Sequence, residues 1–255
     1  MPLVDASDLA THARSQGFAL CGFAIRDLED LHAVATAAEA EQAPVCFVVA
    51  DDWRAQYLLP AIERRARSLR APVLLQLVAA TAEEGAIHGM RLGCNCIVAQ
   101  QADTAAIARA CGVPVIDATA AEVMHEAGVA AKTDAVTAQL RRSRSSGTGT
   151  DAATRCKRWE SVEHCIVYNY SGSEDDARAM MARGQAELAE IPGVTEVFVG
   201  RAVDAAAKYR YVWLVRFASR AVIDSYRTHP THVAFADGAF RPFAKDRLSI
   251  DFEGC

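Results

Sequence analysis

The 255-residue sequence contains no apolar run that approaches the roughly 20 residues needed to cross a bilayer. It also lacks a surplus of positive charge, because 27 lysines and arginines stand against 32 aspartates and glutamates and give a formal net charge of −5. A protein that binds nucleic acid through its phosphates needs an excess of cations. We therefore expect neither a membrane nor a nucleic acid among the partners.

The first eight residues, MPLVDASD, have neither the basic nor the apolar region of a secretion signal. We therefore expect a cytoplasmic location. The composition, 51% hydrophobic and 23% charged, excludes a disordered chain and a collagen-like fibre.

Eight cysteines are spread along the chain without a CxxC pair or a cysteine and histidine quartet. Cys46, Cys96 and Cys165 lie in apolar, strand-like runs, where a free thiol behaves as a small hydrophobe. Only Cys94 and Cys96 are close in sequence, and strand alternation would place both on one face. Buried thiols are the favoured interpretation, and a metal or redox role is the alternative.

In the first half of the chain, short apolar runs alternate with helical stretches. This alternation predicts a parallel sheet built from a βαβαβαβαβ series, with Asp27 as the N-cap of the first crossover helix. The predicted buried strands cover residues 18–25, 45–49, 73–78, 94–99 and 113–117.

The composition changes at residues 141–158, which read RRSRSSGTGTDAATRCKR. This segment is polar and basic and has no apolar periodicity, which is typical of a linker or long surface loop. An anion-binding patch is the alternative, although no stacking aromatics are interleaved. We predict a domain at residues 1–140, a flexible linker at 141–160 and a second domain at 161–255.

The second half changes to a β-α-β-β-α-β pattern, which is the ferredoxin-like order. Ser173 is a predicted helix cap, and the helix after it buries a stripe of Ala177, Met180, Met181, Gly184 and Leu188. A later strand alternates aromatic and basic residues, with one face formed by Tyr209, Tyr211, Trp213, Val215 and Phe217.

Three segments of this half carry a family resemblance: EHCIVYNY at 163–170, IPGVTEVFVGR at 191–201, and the stretch at 225–253 that contains HPTHV. They resemble the stress-responsive dimeric α/β barrel (Dabb) family. The resemblance implies a ferredoxin-like sheet that pairs with a second copy to form a barrel, with a cavity between each sheet and its helices. It therefore implies a homodimer or a higher homo-oligomer.

Plant polyketide cyclases of this family use a tyrosine and a histidine as an acid–base pair. By position, the resemblance assigns those roles to Tyr226 and His232, with His164 directed into the same cavity. Tyr211 replaces a further cavity histidine of many members, which is a departure from the cyclase pattern. The cavity residues implied in this way are Tyr211, Tyr209, Trp213, His229, Tyr168 and Phe235.

Residues 1–34 and the segment EAEQAPVCFVVA at 39–50 resemble the start of a class II, zinc-dependent fructose-bisphosphate aldolase. That family carries an HLDHG element on its third strand, and the aligned residues here are QLVAA at 76–80. Val78 therefore stands at the acid position and Ala79 at the zinc-ligand position, and Gln100 replaces an aspartate. His88 and His125 are isolated. We expect no metal site and no cofactor.

About 140 residues hold five β/α units, whereas a closed barrel needs eight. The predicted fold is thus α/β plus α+β: an incomplete (β/α) half-barrel or open parallel sheet, followed by a ferredoxin-like domain.

The chemistry of His232 and Tyr226 favours a cofactor-independent lyase, cyclase or isomerase that acts on a small carbonyl compound. In this interpretation the aldolase-like half is a scaffold. A non-catalytic ligand-binding or assembly protein is the first alternative, and a metal-dependent aldolase-type lyase is the second.

Overall fold

The computed structural model describes residues 3–79, 83–99, 101–115, 120–121, 128–143 and 156–254. The chain divides into two compact units, one formed by residues 1–109 and 113–159 and the other by residues 110–112 and 160–255. Among the described helices, none is long and apolar enough to span a membrane.

The N-terminal unit contains a five-stranded parallel sheet in the order β4-β3-β2-β1-β5. Its strands are β1 (Cys21–Ala24), β2 (Val45–Ala50), β3 (Val73–Ala79), β4 (Cys96–Ala99) and β5 (Ala120–Ala121). Its helices are α1 (Ala6–Gln16), α2 (Leu28–Glu41), α3 (Ala55–Ala66), α4 (Glu83–Arg91), α5 (Ala102–Ala110) and α6 (Val129–Ser143). The predicted parallel sheet is confirmed.

Helix α2 begins where the sequence predicted. The Asp27 carboxylate accepts a hydrogen bond from the backbone N–H of Asp30 at 2.8 Å and caps the helix. The Asp30 carboxylate in turn binds Nζ of Lys132 at 3.1 Å, and both side chains are buried. This ion pair joins α2 to α6.

The fifth strand differs from the prediction. Residues 113–117 were expected to form it, but Val115 makes only an isolated parallel bridge with Ile97, and residues 116–117 lie outside the described residues. Pro114 has no N–H to donate to a ladder, which limits pairing there. Strand β5 lies instead beside β1, at the opposite side of the sheet from β4.

The boundary of the predicted linker also differs. Helix α6 continues to Ser143, so residues 141–143 are helical, and Arg141 binds Glu41 at 2.8 Å. Arg158 pairs with Val4 in an isolated antiparallel bridge within the same unit. The residues between these two segments, 144–155, lie outside the described residues.

The C-terminal unit contains a four-stranded antiparallel sheet in the order β7-β8-β6-β9. Its strands are β6 (Val162–Tyr168), β7 (Val194–Arg201), β8 (Tyr211–Phe217) and β9 (Arg247–Glu253). Its helices are α7 (Glu174–Ala189), α8 (Val222–Thr228), α9 (Pro230–Phe235) and a π-helical turn at Ala236–Phe240. The predicted ferredoxin-like order is confirmed.

Helix α7 carries the predicted cap and the predicted buried stripe. Ser173 and Asp176 form a capping box, in which each side chain bonds the backbone N–H of the other residue. The five stripe residues, Ala177 to Leu188, are all buried. They pack α7 onto one face of the sheet, which we call the helix face.

Candidate functional site

A cavity lies between the helix face of the C-terminal sheet and the helices that cover it. Its volume is about 290 Å³, including the space at its open mouth. The side chains that line it come from β6, β8, α7, α8, α9 and the π-helical turn: Ile166, Leu188, Trp213, Val215, Tyr226, His232, Phe235, Ala236 and Phe240.

Tyr226 and His232 lie side by side in this cavity. Their ring centroids are 4.3 Å apart, and the ring of Phe217 packs on Tyr226 from the sheet at 4.8 Å. The chain turns between them at His229 and Pro230, where α8 ends and α9 begins with proline at its first position. Because the chain turns here, Tyr226 at the end of α8 and His232 at the start of α9 both line the cavity.

The backbone fixes the tautomer of His232. Its Nδ1 lies 3.2 Å from the carbonyl oxygen of Arg227, and since a carbonyl only accepts, Nδ1 carries the proton. The lone pair is then on Nε2, the other ring nitrogen. Burial lowers the pKa of His232 below its ordinary value of 6.5. His232 is therefore a neutral imidazole with a free basic nitrogen at pH 7.

Tyr226 has the complementary character. Its side chain is 4% exposed, and burial raises the pKa of its phenol well above the ordinary value of 10. The hydroxyl therefore keeps its proton and acts as a hydrogen-bond donor. The site thus combines a neutral base with a neutral donor in apolar surroundings.

His164 lies on the helix face of β6 but is not among the residues that line the cavity. Its ring centroid is 6.1 Å from that of Phe217. Its Nδ1 is 2.5 Å from an Asp251 carboxylate oxygen, and Arg227 binds the other oxygen at 3.3 Å. His164 therefore borders the tyrosine and histidine pair, and Asp251 fixes its orientation.

Two of the other predicted cavity residues, Trp213 and Phe235, form cavity walls, and their rings meet edge-on at 5.7 Å. Tyr168 lies at one end of the cavity, where its ring contacts that of Phe240 at 5.0 Å. The structure therefore brings these three together around the Phe240 ring.

Four predicted cavity residues lie outside the lining: Tyr168, which packs against the wall residue Phe240, and three others. Tyr211 packs on Tyr168 at 5.5 Å, and Tyr209 precedes β8, so strand alternation does not place it. His229 caps α9, where its Nδ1 accepts a hydrogen bond from the backbone N–H of Thr231 at 3.3 Å.

The sequence prediction did not assign several residues to the cavity or its surroundings. Ile166 and Val215 could have been found from strand alternation, and Leu188 from the helical stripe. Asp251 carried no local signal, because the residue that it contacts, His164, is distant in sequence. Arg227 carried none either, because it contacts His232 through its backbone carbonyl. Phe240 reaches the cavity through the π-helical turn.

In the N-terminal unit, Val78 lies on β3 and Ala79 ends it, as aligned. His88 is exposed in the last turn of α4. Within the described ranges, no group of three or more histidine, cysteine, aspartate or glutamate side chains could hold a metal ion. Three residues discussed above lie outside the described residues: Ala80, Gln100 and His125.

The C-terminal unit is similar to known proteins. Residues 162–254 match the family model described as Stress responsive A/B Barrel Domain. This match confirms the resemblance predicted for the second half. No curated protein matches the chain. Nothing in the comparisons supports the aldolase-like resemblance of the first half, which stays a prediction.

Three similar solved structures illustrate the range of proteins with this likeness. A Dabb family protein with a ferredoxin-like fold from Mesorhizobium loti is 23% identical, with a TM-score of 0.36, over 38% of this chain and 98% of its own. A dimeric ferredoxin-like protein of unknown function from Thermobifida fusca is 19% identical, with a TM-score of 0.34, over 36% of this chain and 90% of its own. A hydroxynitrile lyase from Passiflora edulis is 18% identical, with a TM-score of 0.35, over 38% of this chain and 95% of its own.

Gly184 sets the distance between α7 and the cavity walls. A Cβ at this position would overlap Cζ of Phe235 and lie 2.6 Å from Cη2 of Trp213. We expect Gly184→Val to lower the free energy of unfolding by about 1–3 kcal/mol, because both rings must move. Urea unfolding measures this, and Gly238→Val is the control, since nothing lies within 4 Å of a Cβ there. Equal stability of the two variants would contradict the expected overlap.

Proposed function

We propose that the C-terminal unit is a cofactor-independent enzyme that transfers a proton at the carbon next to a carbonyl group. Its substrate is a small carbonyl compound, and its reaction type is that of a lyase, cyclase or isomerase. The observation that carries this proposal is the contact between the His232 and Tyr226 rings inside a largely apolar cavity. These two side chains supply the base and the donor that the reaction needs.

The proposed step is balanced by these two groups. Nε2 of His232 takes the proton as the C–H bond breaks, and the electron pair moves onto the carbonyl oxygen. The Tyr226 hydroxyl donates a hydrogen bond to that oxygen and stabilises the charge that develops on it. The Arg227 carbonyl stabilises the imidazolium through Nδ1–H. Apolar walls exclude water, which strengthens both interactions.

The direct assay follows the exchange of methyl protons of acetophenone in D₂O by proton NMR. Acetophenone has an acidic C–H next to its carbonyl and no other reactive group. Enzyme-dependent loss of the methyl signal supports the proposal. Binding of the ketone without exchange would favour a ligand-binding protein instead.

The pH dependence of this exchange reports on His232. The base is active only when unprotonated, and burial lowers the pKa of His232 below 6.5. We therefore expect the rate to rise with pH through a single pKa below 6.5 and to be constant from there to about pH 8. The exchange rate is measured from pH 4.5 to 8, with the uncatalysed rate subtracted. A midpoint above 6.5 would contradict the assignment of His232 as the base.

We further propose that the C-terminal unit pairs with a second copy of the chain. The face of the sheet opposite the helices carries apolar side chains that are two-fifths to one-half exposed: Phe198, Leu248, Ile250 and Phe252. A four-stranded sheet with one apolar face uncovered gains stability when another sheet covers it.

The N-terminal unit has the role of a scaffold in this proposal. Burial raises the pKa values of the Cys94 and Cys96 thiols strongly. Thiols held protonated in this way are poor nucleophiles and poor metal ligands. This supports the assignment of the chemistry to the C-terminal unit.

A further inference from the structure

Two buried polar atoms lack hydrogen-bond partners at one end of the cavity: one belongs to the wall residue Trp213, and the other to Tyr168, which packs against the wall residue Phe240. Across the part of the chain that the structure describes, neither the Tyr168 hydroxyl nor the Trp213 indole nitrogen has a partner in good hydrogen-bond geometry, although both atoms are buried. The two side chains are 0% and 2% exposed. Buried polar groups without partners are rare because their desolvation is not compensated. Such a pair therefore requires an explanation.

The two groups are neighbours at one end of the cavity. Both lie on the helix face, where Trp213 is paired with Ile166 and Tyr168 is two residues further along β6. Both rings contact Phe240, a cavity wall, with centroids 5.0 Å away for Tyr168 and 6.4 Å for Trp213. Trp213 also acts on the Tyr168 hydroxyl, whose pKa burial raises and the indole N–H partly lowers.

The pair carries more donor hydrogens than it can satisfy. An indole N–H only donates, and a phenol donates one hydrogen and accepts. Even if the indole donated to the phenol oxygen, the phenol hydrogen would still lack an acceptor. The nearby wall residues Phe235, Phe240 and Ile166 have no side-chain acceptor. A bound molecule with an acceptor atom can supply the missing partner.

The charge of that acceptor follows from the surroundings. Among the described residues that line the cavity, His232 is the only one that can become cationic, and burial lowers its pKa. A carboxylate brought into this space would lose its hydration without a fixed countercharge among the lining side chains. An uncharged oxygen, as in a ketone, an aldehyde or an alcohol, does not have this penalty.

We infer that Tyr168 and Trp213 form a donor subsite that binds an uncharged acceptor oxygen of the ligand. This inference rests on the proposed function, since it assigns a substrate class to the same cavity. The ligand is thus a small, neutral molecule with an apolar body, and a carboxylic acid is a poor ligand at neutral pH.

The first test uses stability and needs no ligand. Because the Tyr168 hydroxyl has no partner within the protein, Tyr168→Phe is expected to leave the urea midpoint of the full chain unchanged or to raise it. Tyr209→Phe is the matched control, since it removes a hydroxyl from a tyrosine that is only partly buried. A midpoint lowered in Tyr168→Phe alone would show that the hydroxyl has a structural partner and would overturn the inference.

The second test compares three probes of similar shape by NMR titration: acetophenone, isopropenylbenzene and benzoate. The second has a CH₂ group in place of the carbonyl oxygen, and the third is an anion. We expect the chain to bind acetophenone about fivefold more tightly than isopropenylbenzene and at least about tenfold more tightly than benzoate. Tyr168→Phe should reduce the preference for acetophenone over isopropenylbenzene. The double variant Tyr168→Phe, Trp213→Phe should bind the two probes about equally.

The remaining outcomes separate this inference from the proposed function. His232→Gln should abolish proton exchange and keep the ratio between acetophenone and isopropenylbenzene. A ratio that persists in a chain without exchange activity would support the subsite and contradict the enzyme. An unchanged ratio in the double variant, tighter binding of benzoate, or no binding of any probe to the unmodified chain would overturn the subsite.

Discussion

Replacing His232 with alanine is expected to slow proton exchange at the methyl group of acetophenone by at least about 100-fold. The imidazole is the only group among the described cavity walls that is a base at pH 7. Tyr226 remains in the variant, but a phenol whose pKa is raised by burial accepts no proton from carbon. NMR in D₂O measures the exchange, and the urea midpoint checks that the fold persists.

Two controls separate a catalytic base from a packing residue. His88→Ala removes an exposed histidine from the N-terminal unit and should leave the rate unchanged. Imidazole added to the His232→Ala variant should restore part of the rate, because the truncation opens space for it beside Tyr226. If the variant retains more than about one-tenth of the rate, or if imidazole restores nothing, His232 does not carry the proton transfer.

The local patterns of the C-terminal half predicted its elements well. Alternation along β8 placed Tyr211, Trp213, Val215 and Phe217 on one face, and helical spacing identified the complete buried stripe of α7. Such patterns are reliable where one face of an element is buried against the rest of the unit. The pairing of Tyr226 with His232 came from the family resemblance, since neither periodicity nor spacing distinguishes these two rings from packing residues.

The features that escaped prediction depend on contacts between distant segments. Asp251 reaches His164 because β6 and β9 pair in one particular register, across 87 residues of sequence. The position of β5 beside β1 likewise depends on strand order rather than on the sequence of either strand. A single sequence contains no local signal for such a register, so neither the contact between Asp251 and His164 nor the sheet order could be derived from it.

Replacing Ile250 with aspartate is expected to convert a dimer into a monomer. Ile250 is 42% exposed in the middle of the edge strand β9, and the residues on either side of it on the same face, Leu248 and Phe252, are 47% and 49% exposed. In a paired structure the aspartate would be desolvated without a countercharge, which costs several kcal/mol. This cost is on the order of the loss of a hot-spot residue from an interface. Light scattering after size exclusion measures the mass, which for one chain is 27.4 kDa.

Leu28→Asp is the matched control, because Leu28 is a 64% exposed leucine of the N-terminal unit and should tolerate the charge without a change of mass. An unmodified chain that stays monomeric at every concentration, or an Ile250→Asp variant that stays dimeric, would contradict pairing through this face.

The same variant tests whether the cavity depends on the partner. Ser249 and Asp251, the neighbours of Ile250 in sequence, pair with Ile166 and His164 and therefore lie on the helix face with the cavity. Successive side chains of a strand point to opposite faces, so the aspartate at position 250 is directed away from Tyr226 and His232. The proposed base and donor, His232 and Tyr226, both line this helix-face cavity. We therefore expect the Ile250→Asp monomer to retain proton exchange, which would place assembly and chemistry on opposite faces of one sheet.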